Sequence, residues 1–163
     1  PLVPEVGMNV VGATPYSEAT HECAAVEGRL TRTLDGVCAT RGVRFGASSH
    51  VARFLLAARE VDPDLRFAVN CRFDAAVEAA LSALSGPVAE YDRDAQPAAV
   101  EREEGHTMEW GARQAFGHSD GTPAAVIDRG AVGKEPMVKL LAPTASGLAD
   151  RVATLQDALA DAA

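Results

Sequence analysis

The order in which strand and helix signals follow one another constrains the fold of this chain more than any other feature. Leu30-Thr31-Arg32-Thr33-Leu34 and Val37-Cys38-Ala39-Thr40 flank Asp35-Gly36. That pair accepts the positive φ of a tight two-residue turn, so the segment predicts an antiparallel hairpin. Beyond it the signals alternate. A helix opens at Gly46-Ala47-Ser48-Ser49-His50 and runs to about Glu60, with Val51, Phe54, Leu55 and Ala58 at helical spacing, and Asp62-Pro63 stops it. Leu65 to Phe73 reads as a strand, and Asp74 to Leu84 as a helix capped by Asp74. Val88 to Tyr91 is a strand after Gly86-Pro87, and a helix over Ala98 to Phe116 is interrupted or re-aimed at Gly105. Ala124 to Asp128 and Met137 to Leu141 are strands around the turn Gly130 to Gly133. A last helix, about Ser146 to Ala160, carries Leu148, Val152, Leu155 and Leu159 on one stripe. Ahead of the hairpin, Val6 to Thr14 is a strand or an extended loop, and Ser17 caps a short helix through about Val26 that Gly28 closes. A hairpin followed by alternating strands and helices implies the α/β class, a mixed sheet with helices on both faces.

Composition removes several function classes. The 163 residues suffice for one domain that buries about two-thirds of its unfolded surface. Hydrophobic residues at 47% and charged residues at 23% exclude a disordered or collagen-like chain. Lys+Arg 15 against Asp+Glu 23 leaves a net charge of −8, which argues against an autonomous nucleic-acid binder while leaving room for a local cationic pocket. Every basic residue except Lys134 and Lys139 is an arginine. Either a coding bias explains this, with an acidic salt-adapted surface, or the planar guanidinium fork is there for phosphate. Cys23, Cys38 and Cys71 are widely spaced and odd in number, which fits a reducing compartment and a cytoplasmic location. No run approaches the roughly 20 apolar residues of a membrane span. Pro1-Leu2-Val3-Pro4 reads like the exit from a linker, so residues 1–163 are expected to form one domain at the C-terminal end of a longer polypeptide.

Four segments carry candidate chemistry. Gly46-Ala47-Ser48-Ser49-His50-Val51-Ala52-Arg53 places small and hydroxyl residues at a helix start, where unpaired N–H groups favour an anion. His50 and Arg53, three apart, share a helical face there, although an ordinary serine cap beside a solvated arginine reads equally well. Gly28-Arg29 closes the first helix and lets backbone and ligand approach closely, or is simply a surface arginine. Asp128-Arg129-Gly130-Ala131-Val132-Gly133-Lys134-Glu135 sets a lysine in a glycine-bounded turn. It lacks the glycine spacing of a nucleotide-binding phosphate loop and has Glu135 where a hydroxyl would hold magnesium, so an NTPase is rejected. Lys134 remains a point charge for a phosphate, and Asp128 or Glu135 an outer ligand for Mg²⁺. Asn70 and Arg72 share one face of their strand while Val69 and Cys71 share the other, pointing either to a cavity or to a sheet edge. His21, His106 and His118 lack zinc-ligand spacing, and no activated serine or cysteine nucleophile is evident.

Taken in order, these segments resemble the ThiN family, a thiamine-phosphate synthase domain known chiefly from archaea. The resemblance rests on Val3-Pro4-Glu5-Val6-Gly7-Met8-Asn9, Ala25-Val26-Glu27-Gly28-Arg29, Phe45-Gly46-Ala47-Ser48-Ser49-His50-Val51-Ala52-Arg53 and Val69-Asn70-Cys71-Arg72-Phe73. Met108-Glu109-Trp110-Gly111 and Gly130-Ala131-Val132-Gly133-Lys134-Glu135-Pro136-Met137 complete it. It implies a three-layer α/β/α domain of the aldolase/epimerase (AraD-like) type. It also implies condensation of 4-amino-2-methyl-5-hydroxymethylpyrimidine diphosphate with thiazole phosphate, with Mg²⁺ as cofactor, giving thiamine phosphate and pyrophosphate. The family's essential arginine and histidine map onto Arg29 and His50. Cys71 and the pair His106-Thr107 depart from the family pattern.

On that resemblance, Arg29 and protonated His50 would stabilise the departing diphosphate, with His50 also placed to donate a proton. Ser48, Ser49, Arg53 and Lys134 would hold phosphate groups, Arg72 would join the substrate contacts, and Asn9, Asn70 and Glu135 would orient the heterocycles. Relatives are similar homodimers, some fused to a pyrimidine kinase. Others place the domain behind a helix-turn-helix segment as a noncatalytic thiamine-phosphate sensor, the alternative reading of this chain.

Overall fold

The computed structural model describes residues 1–101 and 106–162. A seven-stranded sheet dominates it. In chain order the strands are β1 (Val10–Ala13), β2 (Cys23–Val26), β3 (Leu30–Thr33), β4 (Gly36–Ala39), β5 (Val43–Phe45), β6 (Phe67–Arg72), β7 (Val88–Tyr91), β8 (Ala125–Asp128) and β9 (Met137–Ala142). The large sheet runs β5-β2-β1-β6-β9-β8-β7, antiparallel at every step except β7 beside β8, while β3 and β4 form a separate two-stranded ribbon. The mixed sheet is therefore as expected. The expected hairpin forms, but its turn falls one residue earlier than Asp35-Gly36: Thr33 pairs with Gly36, so Leu34 and Asp35 make the turn and Gly36 opens β4.

Helices cover both faces. They are α1 (His50–Val61), α2 (Ala75–Ala80), α3 (Ala98–Glu101), α4 (His106–Gly117) and α5 (Ala145–Asp161). α1 and α4 pack over Val11, Ala25, Ala68, Val126 and Leu141, whereas α2 and α5 pack with Leu2, Val3 and Met8 over Val69, Cys71, Val138 and Leu140. Alternate residues of one strand thus feed opposite cores, as the two-residue period requires. Ala68, Asn70 and Arg72 share the α1 face. Phe54 and Leu55 are fully buried there, and truncating either to Ala is expected to cost about 2–5 kcal/mol. Asp74 caps α2, its side chain accepting from the Val77 N–H, as the Asp at that helix start predicts.

One predicted element is overturned. Residues 17–26 form no α-helix: a short 3₁₀ turn over Thr20–Glu22 leads into strand β2. The Ser17 hydroxyl accepts from the Thr14 N–H and donates to the Glu22 carbonyl, while the Glu22 carboxylate accepts the N–H groups of Glu18 and Ala19. These side chains close a loop instead of capping a helix, and Cys23 and Ala25 then enter the sheet between β1 and β5. Pairing on both sides outweighs the weak helical preference of so short a segment. Gly28 accordingly serves a turn between strands and not a helix end. The helix expected over Ala98 to Phe116 is two pieces, α3 and α4, and Gly105 lies outside the described residues.

Candidate active site

The strand registers bring the start of β1, the ends of β2, β6, β7 and β8 and the start of β9 to one margin of the sheet. Most of the singled-out residues gather along that margin. A cavity of about 940 Å³ opens there, lined by residues 3–7, Thr31, Arg32, Arg72, Phe73, Ala131, Gly133, Lys134 and Glu135. Of the sequence-derived candidates, Arg72, Lys134 and Glu135 face it. Arg72 is tied to Asp74 at 2.7 Å, and its Nε is buried without a partner. The Glu135 carboxylate accepts the N–H groups of Glu5 (2.9 Å) and Val6 (3.3 Å) and so fixes the tight turn that residues 4–7 make.

Arg29 adjoins the same turn. Its guanidinium donates to the Val6 carbonyl, and a Cβ added at Gly7 would lie 3.2 Å from Arg29 Cδ. Its φ of 68° makes it the one non-glycine with a left-handed backbone among the described residues. An arginine gains nothing intrinsic there, so the surroundings hold it in place, a common mark of a functional position.

Asn9 and Asn70 sit buried beneath this turn. The Asn9 side chain donates to the Val26 carbonyl (3.2 Å) and accepts the Val26 N–H (3.1 Å), continuing the pairing of β1 with β2. Asn70 accepts the Asn9 N–H at 2.8 Å and donates to the Gly7 carbonyl at 3.1 Å. Both amides are engaged with backbone, and they act on the cavity through the segment 7–9 that they hold.

His50 begins α1, one turn ahead of Phe54, whose ring lies 5.1 Å from Lys139 Nζ near that margin. Farther along α1, Arg59 donates to the Ser17 and Pro15 carbonyls beyond the opposite end of β1. The C-terminal half of the helix therefore lies toward the end of β1 away from the margin, and Ser48, Ser49 and His50, at its N-terminus, do not line the cavity. Ser49 makes no side-chain cap bond. Arg53, one turn on, lines a separate hollow of about 270 Å³ with Glu60, Glu109 and Arg113.

Sequence reading missed the most buried polar cluster. The Asp128 side chain is fully buried. Its Oδ2 accepts from Tyr91 OH (2.5 Å), Arg93 (2.7 Å) and Lys139 (3.1 Å), and its Oδ1 from Arg93 Nε (2.7 Å) and the Gly130 N–H (3.0 Å). Lys139 also donates to Tyr91 OH and lies over the Phe54 and Tyr91 rings. Burial alone would raise the Asp128 pKa, but the Arg93 fork and the Lys139 charge outweigh it and hold the carboxyl well below its ordinary value. Desolvation draws Lys139 down, and burial with the adjacent carboxylate drives Tyr91 well above the usual phenol. The overlooked signal was a lone charge inside each of two apolar runs, Ala124 to Asp128 and Val138 to Leu141, since a buried charge must find a partner.

The donor set does not suit a resident metal. Asp128 is ringed by cations and the Gly130 N–H, Glu135 already accepts two backbone N–H groups, and no three His, Cys, Asp or Glu side chains converge among the described residues. Burial pushes the Cys71 thiol up to about 12. Among the described residues no helix is long and apolar enough to cross a membrane.

A sequence model of the family described as "Thiamine-phosphate synthase ThiN" matches residues 1–154. The "Thiamine-phosphate synthase ThiN" of Methanothermobacter thermautotrophicus is 37% identical over 139 residues, covering 85% of this chain and 73% of that protein. The "Bifunctional thiamine biosynthesis protein ThiDN" of Methanocaldococcus jannaschii is 33% identical over 156 residues, covering 95% of this chain and 36% of that protein, so the chain spans about a third of its length. Among solved structures, the C-terminal domain of a phosphomethylpyrimidine kinase superposes with a TM-score of 0.89 at 31% identity, over 94% of this chain and 87% of that one. With the family match running almost from end to end, this chain belongs to the thiamine-phosphate synthase ThiN family.

Proposed function

We propose that this chain is a thiamine-phosphate synthase that joins 4-amino-2-methyl-5-hydroxymethylpyrimidine diphosphate to thiazole phosphate at the margin cavity. The carrying observation is the cationic rim: Arg32, Arg72 and Lys134 line the hollow, and Arg29 is held beside it in a left-handed conformation. In this reading the bond between the pyrimidine methylene carbon and the diphosphate oxygen breaks with its electron pair leaving on oxygen. The thiazole nitrogen lone pair then forms the new C–N bond. Charge builds on the leaving group, and preorganised guanidinium and imidazolium donors stabilise it. Arg29 and His50 take that role. Ser48, Ser49, Lys134 and Arg72 hold phosphate oxygens, a role not extended to Arg53, which lines the separate hollow. Asn9, Asn70 and Glu135 set the loops against which the heterocycles lie. Magnesium accompanies the diphosphate as its counter-ion, and no step assigned to these residues depends on it.

The layered arrangement is read as the aldolase/epimerase type. A homodimer, a cytoplasmic setting and an upstream kinase-type domain belong to the same proposal. The dimer is supported by edge strand β5, where Val43 and Phe45 are well exposed, and by the exposed Val37 of the ribbon.

The test is direct: the purified protein, both heterocyclic phosphates and Mg²⁺, with thiamine phosphate detected after oxidation to its fluorescent thiochrome. Turnover is expected, with Arg29→Ala and His50→Ala each lowering kcat by about 10² or more, the scale of a lost oxyanion-type donor. Binding of thiamine phosphate without turnover would overturn the synthase reading in favour of a sensor. Near-wild-type turnover in both variants would refute the assignment of Arg29 and His50.

A further inference from the structure

We infer that Asp128 is a positioning residue of the phosphate pocket, acting through the Gly130 N–H on the turn that presents Lys134 and Glu135. The inference rests on the cavity reading above. Asp128 is locked from behind by Arg93, Lys139 and Tyr91, and among the described residues its one bond toward the cavity is to Gly130. The turn beyond is a closed unit, Ala131 and Lys134 exchanging both backbone hydrogen bonds. Gly130 has φ 76°, and a Cβ added there would lie 2.4 Å from the Lys134 carbonyl oxygen and 2.9 Å from Pro136 N. The turn therefore closes only on a glycine, at an angle set by its bond to Asp128.

Glu135 extends the chain of contacts. It grips the N–H groups of Glu5 and Val6, and the Val6 carbonyl receives Arg29. One buried carboxylate, contacting no ligand itself, thus sets the position of Lys134 directly and of Arg29 at one remove. Lys139, by contrast, touches Asp128 from behind, and its hydrogen bonds go to Asp128 and Tyr91 and not to the turn.

The experiment measures pyrophosphate binding by calorimetry, and KM and kcat for the pyrimidine diphosphate, on the whole chain. The variants are Asp128→Asn, Gly130→Ala, Lys139→Met and Lys134→Ala, with the two double variants of Lys134→Ala. Asp128→Asn and Gly130→Ala are expected to weaken pyrophosphate and raise KM about tenfold, the worth of one charge-assisted phosphate contact. Each should add less than twofold in the Lys134→Ala background, because the contact they misplace is already gone. Lys139→Met should leave KM within twofold, whatever its effect on Tm. If Asp128→Asn does not fold, Gly130→Ala carries the test, since it disturbs the turn while leaving the Arg93, Lys139 and Tyr91 bonds to Asp128 in place. Effects that add in full to Lys134→Ala, or a lowered Tm with unchanged KM, would overturn the positioning role while leaving the synthase reading intact. Failure of the unaltered chain to bind pyrophosphate would instead overturn the cavity reading, and this inference with it.

Discussion

Two substitutions in the buried cluster should behave oppositely, because it holds two cations around a single carboxylate. Lys139→Met removes the cation that desolvation already disfavours. Asp128 keeps the Arg93 fork, the Tyr91 hydroxyl and the Gly130 N–H, so no charge is orphaned. The methionine enters a slot bounded by the Phe54 and Tyr91 rings, whose centroids lie 5.1 and 5.4 Å from Nζ, a setting that suits a thioether. Losing one partner of a buried pair is expensive because of the uncompensated charge it leaves, and Arg93 still compensates Asp128 here, so the expected change is within about 1 kcal/mol. Asp128→Asn leaves Arg93 and Lys139 facing each other with no anion between them. Breaking a buried pair in this way costs about 3–5 kcal/mol. Urea unfolding at pH 7 checks both: with m near 2 kcal/mol/M, Asp128→Asn should lower the midpoint by about 2 M and leave m unchanged. Tm should fall on the order of 10 °C. Equal losses in the two variants would refute the reasoning, since they would show that the cluster depends on the number of its bonds and not on its charge balance.

Acid should expose the same carboxylate. Its folded pKa is depressed, so the stability it contributes is complete above the unfolded value of 3.8 and is lost as pH falls below that value toward the folded one. The acid limb of a Tm-versus-pH profile should consequently be shallower in Asp128→Asn than in the unaltered chain. Asn70→Ala orphans the Asn9 N–H and the Gly7 carbonyl, at about 1–3 kcal/mol for each buried group, and thermal unfolding would register the loss. Gly111→Ala would place a Cβ 2.6–2.8 Å from three Tyr91 ring atoms, and calorimetric unfolding should show an overpacking cost of about 1–3 kcal/mol. Of the three thiols Cys38 is exposed and Cys23 and Cys71 are buried, so a native-state thiol titration with a disulfide reagent should find one fast equivalent, rising to three in denaturant.

Signals that act between neighbouring residues were legible in the sequence. The hairpin between Leu30 and Ala39 formed, shifted by one residue so that Leu34 and Asp35 make its turn, Asp62-Pro63 ended α1, and Asp74 capped α2 through the N–H three residues on. The ordered motifs also carried the family. Tertiary structure alone decided that Cys23–Val26 is a strand, because its two flanking partners come from elsewhere in the chain. It alone decided that the Asn9 and Asn70 amides bind backbone, and that Asp128, Lys139, Tyr91 and Arg93 share one buried centre. A hydrogen bond or ion pair between distant residues leaves no periodicity in the chain. It exists only after folding brings the partners together and strips away the water that would otherwise satisfy them.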